Sequence, residues 1–200
     1  MKNLIRLLAA RSGNLLTPAA LAGDLGIARG TAENYIALLE QVFLIKRLPA
    51  WTRNLSARAT RTPKLYFVDS GIAADQLGQT DSSLRRFDSP LGGLLEGFVV
   101  SEIARQLSWS RTRAELFHYR TKDQVEVDAI LEDRRGRVVA VEVKSASTVR
   151  SDDFRGINHL ASRIGDDPVA GVVLYTGQQT LPFGPKKVAV PISALWEVDE

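Results

Sequence analysis

Cysteine is absent from the 200 residues, which rules out disulfides, thiolate metal sites and a cysteine nucleophile. Long apolar runs are missing as well: stretches such as Leu94–Leu95 and Phe98–Val100 fall far short of the roughly 20 residues a spanning helix needs. No small-residue cleavage pattern of the secretory kind appears near Met1, so no membrane partner and a cytoplasmic location are expected. Repeats and low-complexity tracts are lacking too, and the formal net charge is only +3. What is present is an apolar content of 44%, enough for one large core or two smaller ones.

The modest net charge hides an uneven distribution. Between Glu40 and Asp69 there is no acid, while Lys46, Arg47, Arg53, Arg58, Arg61 and Lys64 contribute six positive charges, twice the whole-chain balance. Two readings follow. Such a cluster suits an anionic partner, with DNA the foremost candidate, and it also suits a solvated basic loop.

Taken in order, residues 2–12 carry Leu4, Ile5, Leu7 and Leu8 at helical spacing and stop at Gly13. Thr17-Pro18 supplies an N-cap and a proline for the first turn of a short helix closed by Gly26. Thr31 to Gln41 makes a third helix, with Tyr35, Ile36, Leu39 and Val42 as core positions. Helix, short helix, glycine-containing turn and helix is a helix-turn-helix order. Phe43 to Leu48 and Lys64 to Asp69 read as strands around the basic loop, completing a winged helix with the loop as its wing. The third helix offers Asn34 and Gln41 to base edges, but also Glu33 and Glu40; only Arg29, at its start, is basic. Backbone contact through Arg29, Arg47, Arg53, Arg58, Arg61 and Lys64 is therefore the better expectation than base readout. Winged helices also serve as protein-packing modules. Turn formers between Gly78 and Pro90 place a boundary near residue 80, giving a winged-helix module over 1–80 and a second domain over 81–200.

The second domain begins with a helix, Leu91 to Leu107, apolar over most of its circumference and therefore central. Gly93, Gly97 and Ser101 recur every four residues, a flat strip that another backbone can approach. Glu96 and Glu102 are both anomalous on such a helix. Strands are expected over 115–120, 126–132 and 138–146, a helix over 151–164, then strands over 169–175 and 187–191. Alternation puts Asp128 on a face with Glu126 and Ile130, and Glu142 and Lys144 on a face with Ala140. A hairpin through Asp133-Arg-Arg-Gly136 brings Asp128 beside Glu142, with Lys144 close by. Buried charges must be paired or metal-bound. Asp128 and Glu142, with Glu96 as the third acid and Glu102 as its rival, are thus candidate ligands for Mg²⁺ or Mn²⁺. The competing reading is a set of structural ion pairs, Glu142 with Lys144 and Asp128 with Lys144. His118 and His159 read as structural, and Trp51 reads equally as a base-stacking ring or an anchor for the wing.

A helix carrying Glu, then Asp on one strand and Glu-x-Lys on the next, resembles the PD-(D/E)xK nuclease superfamily with its αβββαβ order. More narrowly, nearly the whole chain resembles the C-terminal region of predicted prokaryotic AAA-type ATPases. The stretches concerned are Lys64-Leu-Tyr-Phe-Val-Asp-Ser-Gly71, Gly93-Leu-Leu-Glu-Gly97, Tyr119-Arg-Thr-Lys122, Glu126-Val-Asp128 and Val141-Glu-Val-Lys144. The superfamily's proline is Val127 here, and no Gly-x-x-x-x-Gly-Lys-[Ser/Thr] occurs, so the chain is expected to be a truncated relative or a fragment lacking its ATPase half. The resemblance implies an α/β fold and metal-dependent cleavage of nucleic acid. Asp128, Glu142 and Glu96 would be the metal ligands, with the Val143 carbonyl as a further oxygen. Lys144 would orient a water or stabilise charge on phosphorus, and Arg120 and Lys122 would clamp the substrate backbone. The alternative it leaves open is an inactive DNA- or protein-binding module of the same ATPase family.

Overall fold

A computed structural model describes residues 1–58, 61–86, 88–164 and 169–197. Three helices open the chain, α1 (Lys2–Ala10), α2 (Pro18–Leu25) and α3 (Arg29–Gln41). Pro18 stands at the start of α2, where no N–H is needed, and Gly26 ends it at φ 63°, in the left-handed region glycine tolerates. Strands β1 (Ile45–Leu48) and β2 (Lys64–Phe67) pair antiparallel, with Ile45 opposite Phe67 and Leu48 opposite Lys64. Between them lies a short helix, α4 (Leu55–Arg58), too brief to leave a periodic signature. Helix α5 (Ser70–Gln76) is capped by the Asp69 carboxylate, which accepts from the Ile72 N–H, and α6 (Asp81–Leu84) by Thr80.

The first residues of the loop between β1 and β2 are tied to the rest of the molecule. The Trp51 N–H donates to the His118 carbonyl at 2.6 Å and the His118 N–H to the Pro49 carbonyl at 2.9 Å, laying residues 49–51 along the second half of the molecule. Trp51 is buried edge-on to Tyr119, ring centroids 6.3 Å apart, so the base-stacking reading of this ring is corrected to an anchor. His118 is buried as well. Its Nε2 lies 3.2 Å from the Thr62 carbonyl, and burial, reinforced by the charge of Lys64, pulls its pKa down to about 4.

The second half begins with α7 (Leu91–Trp109), followed by β3 (Ala114–Arg120), β4 (Glu126–Asp133) and β5 (Val138–Lys144). A 3₁₀ turn at Ser151–Phe154 leads into α8 (Arg155–Ile164), then β6 (Val169–Tyr175), β7 (Leu181–Pro182) and β8 (Lys187–Pro191). The result is a mixed α/β protein whose six-stranded sheet runs β3-β4-β5-β6-β8-β7. β3–β4, β4–β5 and β7–β8 are antiparallel; β5–β6 and β6–β8 are parallel. Helices cover both faces. Val99, Val100 and Ile103 of α7 pack on Ala129, Val141 and Leu174. Ile157, Leu160 and Ile164 of α8 pack on Val127, Ile130, Ala140 and Val173. Double coverage explains the near-continuous valine runs in β5 and β6, and each large aliphatic so enclosed contributes roughly 1.5–3 kcal/mol.

The small-residue strip on α7 does receive a backbone. A Cβ on Gly93 would lie 3.5 Å from the Ser12 carbonyl oxygen, and one on Gly97 3.4 Å from the Tyr66 ring. Leu48 and Tyr66 therefore share a core with α7, and Leu94 shares one with α1 and α3. Among the described residues no helix is long and apolar enough to cross a membrane.

Candidate functional site

Strand β4 brings Asp128 to the site through an irregularity. Phe117 pairs with Ile130 but Tyr119 with Val127, so Asp128 and Ala129 together oppose His118. Such a bulge interrupts alternation and re-aims side chains. The face assignment from simple alternation is thereby corrected: Asp128 turns toward α7 rather than lying with Ile130, and Ala129 shares the α7 core. The hairpin expected through Asp133 to Gly136 is present, with Gly136 at φ 77° and its N–H donating to the Asp133 carbonyl. Its register pairs Ala129 with Val141, and the Val143 N–H donates to Asp128 Oδ2 at 2.9 Å.

Glu96 of α7 is the acid that reaches this end of the sheet. Glu102 does not join it; it pairs with Arg105 on its own helix. Nearby Lys46 is pulled down to about 8, by burial first and then by the charge of Arg105. Lys144 Nζ lies 2.8 Å from Glu142 Oε1, and Arg120 Nη1 lies 2.7 Å from Glu126 Oε2. Both ion pairs are half-buried.

Lys64 is where sequence reasoning went wrong. Expected among the cations that meet a nucleic-acid backbone, it is 0% exposed. Its Nζ stands 2.8 Å from Glu96 Oε1, 3.3 Å from Glu126 Oε1 and 3.7 Å from Asp128 Oδ1. Tyr66, two residues along β2, donates its hydroxyl to Glu96 Oε1 at 2.5 Å. Neither Lys64 nor Tyr66 entered the site as read from sequence. The signal that covered both was the stretch Lys64-Leu-Tyr-Phe-Val-Asp-Ser-Gly71, which carried the family resemblance but was not assigned to the site.

Burial, then Glu96 and Glu142, push the Asp128 carboxyl well above the usual carboxylate range. Glu142 is raised too, by burial, with Lys144 working against the shift. Burial disfavours the charged form of both Lys64 and Lys144, but the surrounding acids outweigh it and both amines are raised.

Can these residues hold a hard cation? Among the described residues, no three acidic or imidazole side chains are grouped as a metal cage. What remains is a pair. Glu142 Oε2 is buried with no hydrogen-bond partner, and Asp128 beside it is crowded by like charge. Two carboxylates suffice for Mg²⁺ or Mn²⁺, which keep several waters. The donor set fits such an ion at Asp128 and Glu142, with Glu96 engaged elsewhere, by Lys64 and Tyr66. A cavity of about 470 Å³, lined by Glu126, Glu142, Lys144, Asp152 and Asp153, opens beside Glu142.

The other candidate nucleic-acid residues divide into two groups. Arg29 pairs with Glu33 and Arg47 with Glu40, both on the helix-turn-helix side. Arg58 is drawn inward: its Nη1 lies 2.6 Å from Glu132 and its guanidinium 4.7 Å over the Phe117 ring. Arg53, Arg61, Arg120 and Lys122 instead converge on a second cavity of about 950 Å³, joined by Arg163, which no sequence pattern singled out. Among the described residues the one acid on that lining is Asp123, and Gln124 borders both cavities.

Comparison with known proteins matches residues 91–195 to a domain of unknown function, DUF4143, and residues 1–83 to another, DUF8612. The uncharacterized proteins Rv2008c of Mycobacterium tuberculosis and Mb2031c of Mycobacterium bovis are each 30% identical over 192 residues. Those alignments take in 96% of this chain and 41% of each relative, so the chain spans about two fifths of their length. Among solved structures there is a distant likeness, at 13% identity and a TM-score of 0.38. It is to a chain in the refined half-complex of a tetradecameric assembly of Thermococcus gammatolerans McrB AAA+ hexamers with bound McrC, covering 95% of this chain and 46% of that one.

Proposed function

The chain belongs to the DUF4143 family, a domain found in AAA-ATPase-associated proteins, and from that premise we propose that it is the nuclease-like part of such a protein. In this reading residues 1–80 form a winged-helix module, residues 81–200 a PD-(D/E)xK-type domain, and an ATPase half is its partner. The reaction is metal-dependent cleavage of nucleic-acid phosphodiesters. One observation carries the reading: an acid on each of β4 and β5, beside a lysine two residues along β5, leaves a buried carboxylate oxygen, Glu142 Oε2, without a partner.

Mg²⁺ or Mn²⁺, held by Asp128 and Glu142 with Glu96 at the margin, would supply Lewis-acid polarisation and an activated water. The chain's own residues do the rest. Val143 N–H fixes the rotamer of Asp128. Lys144, kept protonated by Glu142, offers a fixed positive charge to the oxygens that gain charge as phosphorus is attacked. Arg61, Lys122 and Arg163 provide the electrostatic track for the phosphate backbone, which continues past Gln124 to the acids.

The test is cleavage of single- and double-stranded DNA and RNA with Mg²⁺ and Mn²⁺. Asp128→Ala and Lys144→Ala should each abolish cleavage while retaining the wild-type circular dichroism spectrum. Arg61→Glu with Arg163→Glu should weaken substrate binding and flatten its salt dependence. A wild-type chain inert on all four substrates with either metal refutes the reading.

A second reading is favoured by Lys64, whose ammonium already stands among three of the acids. Here the cluster is an ion-pair network joining the two halves of an inactive module that binds DNA or protein. Calorimetric titration with Mn²⁺ separates the two, since this second reading requires no binding at Asp128 and Glu142.

A further inference from the structure

Among the described residues three cations are ion-paired with the acid cluster, two of them with one acid each. Lys144 lies against Glu142 and Arg120 against Glu126. Lys64 is different in kind: it sits centrally and reaches Glu96, Glu126 and Asp128 together. Its backbone is pinned on both sides, paired with Leu48 in β1 and bridged to Leu15. With its side chain 1% exposed, the amine cannot reach solvent unless the β1–β2 hairpin shifts. Tyr66, from the same strand, occupies a further lone pair of Glu96. The oxygens a divalent ion would recruit from α7 and β4 are thus already facing a monovalent cation tethered to the N-terminal half.

We propose that Lys64 is a built-in competitor for the divalent cation, an ammonium that holds Glu96 and Asp128 when metal is absent and opposes metal binding at Asp128 and Glu142. This rests on the nuclease reading above and deepens it. Two like charges cannot share one small, buried cluster without mutual repulsion, so removing the amine strengthens binding of the ion. Loading of the site is then linked to the seating of the β1–β2 hairpin: whatever draws β2 out of the cluster favours the loaded state, and by linkage metal favours its withdrawal.

The experiment is isothermal titration of Mn²⁺ into the wild-type chain, Lys64→Met, Lys64→Gln and Lys64→Arg, each checked for folding by circular dichroism. The expected result is a Kd at least tenfold lower in the methionine and glutamine variants, with the arginine variant near wild type. Adding Asp128→Asn to either neutral variant should remove the gain. If the methionine variant fails to fold, the glutamine variant, which keeps a donor for Glu96, decides. Mn²⁺ binding by the wild type with an equal or higher Kd in the neutral variants overturns this proposal and leaves the nuclease reading standing. Absence of binding in wild type and both neutral variants overturns both.

Discussion

Gly156, the second residue of α8, lies directly against the backbone of the sheet that carries the acids. A Cβ built there would lie 2.0 Å from the Glu126 carbonyl oxygen and 3.2 Å from Val127 Cγ2. A tolerable approach is roughly 3 Å, so Gly156→Ala requires α8 and β4 to separate by about 1 Å. The obstacle is backbone, which cannot rotate away as a side chain can. Separation of that size forfeits about a quarter to a half of the dispersion attraction for each atom pair across the seam, and the seam includes Phe154, Ile157, Leu160 and Ile164. The expected cost is about 3 kcal/mol, which for a chain of this size lowers Tm by about 6–12 °C. Differential scanning calorimetry reads it directly. Gly23→Ala serves as the contrast: Gly23 lies within α2 with nothing within 4 Å of its added methyl, so this change should stabilise by about 0.5–1 kcal/mol. If the Gly156 variant melts within a degree of wild type, the packing reasoning is refuted.

Arg58→Ala should destabilise by about 2–3 kcal/mol in urea denaturation, because it strands the mostly buried Glu132 and removes the cation from the Phe117 face; Arg58→Lys should recover only part, lacking the planar fork. Asp128→Asn should stabilise the protein at pH 8 by about 1–3 kcal/mol. Because the folded-state pKa of Asp128 is raised, the wild type binds its proton more tightly folded than unfolded. Its stability therefore falls as pH rises from the ordinary aspartate pKa through the raised one, so the variant's advantage should vanish near pH 4. Tm measured against pH for both proteins checks this, and a variant less stable than wild type at pH 8 refutes it.

Where both faces of an element meet the same kind of neighbour, the sequence was sufficient. The strands over 169–175 and 187–191 occur as expected, since a buried valine run has few other uses. The glycine strip of α7 was legible for a similar reason, because small residues at every fourth position have a steric meaning that does not depend on the partner. Glu96 could not be separated from Glu102 by the helical wheel, as each shares an arc with apolar residues and only the position of β2 distinguishes them. The aim of Asp128 was hidden for a different reason. The bulge that turns it toward α7 is a mismatch of residue counts between β3 and β4, a property of two strands together. Lys64 was misassigned because a lysine among five other cations reads as solvent-facing, and nothing nearby in the sequence marks the acids that enclose it.

The charge balance of the cluster bears on which reading of the chain survives. Among the described residues four acids, Glu96, Glu126, Asp128 and Glu142, are ion-paired with three cations, Lys64, Arg120 and Lys144. A surplus buried carboxylate is costly unless it takes up a proton or pairs with a cation, and the raised pKa of Asp128 marks where that cost falls. Here the surplus is localised: the acid oxygen left without a partner is on Glu142, and the carboxyl pushed furthest from its usual range is its neighbour Asp128. Glu96 and Glu126 are by contrast satisfied by Lys64, Tyr66 and Arg120. The cluster thus divides into a neutralised part that joins β2 to α7 and an under-neutralised part between β4 and β5. Only the second has the character of a cation site, and Glu142 Oε2, with Asp128 beside it, is where a titrated divalent ion should bind.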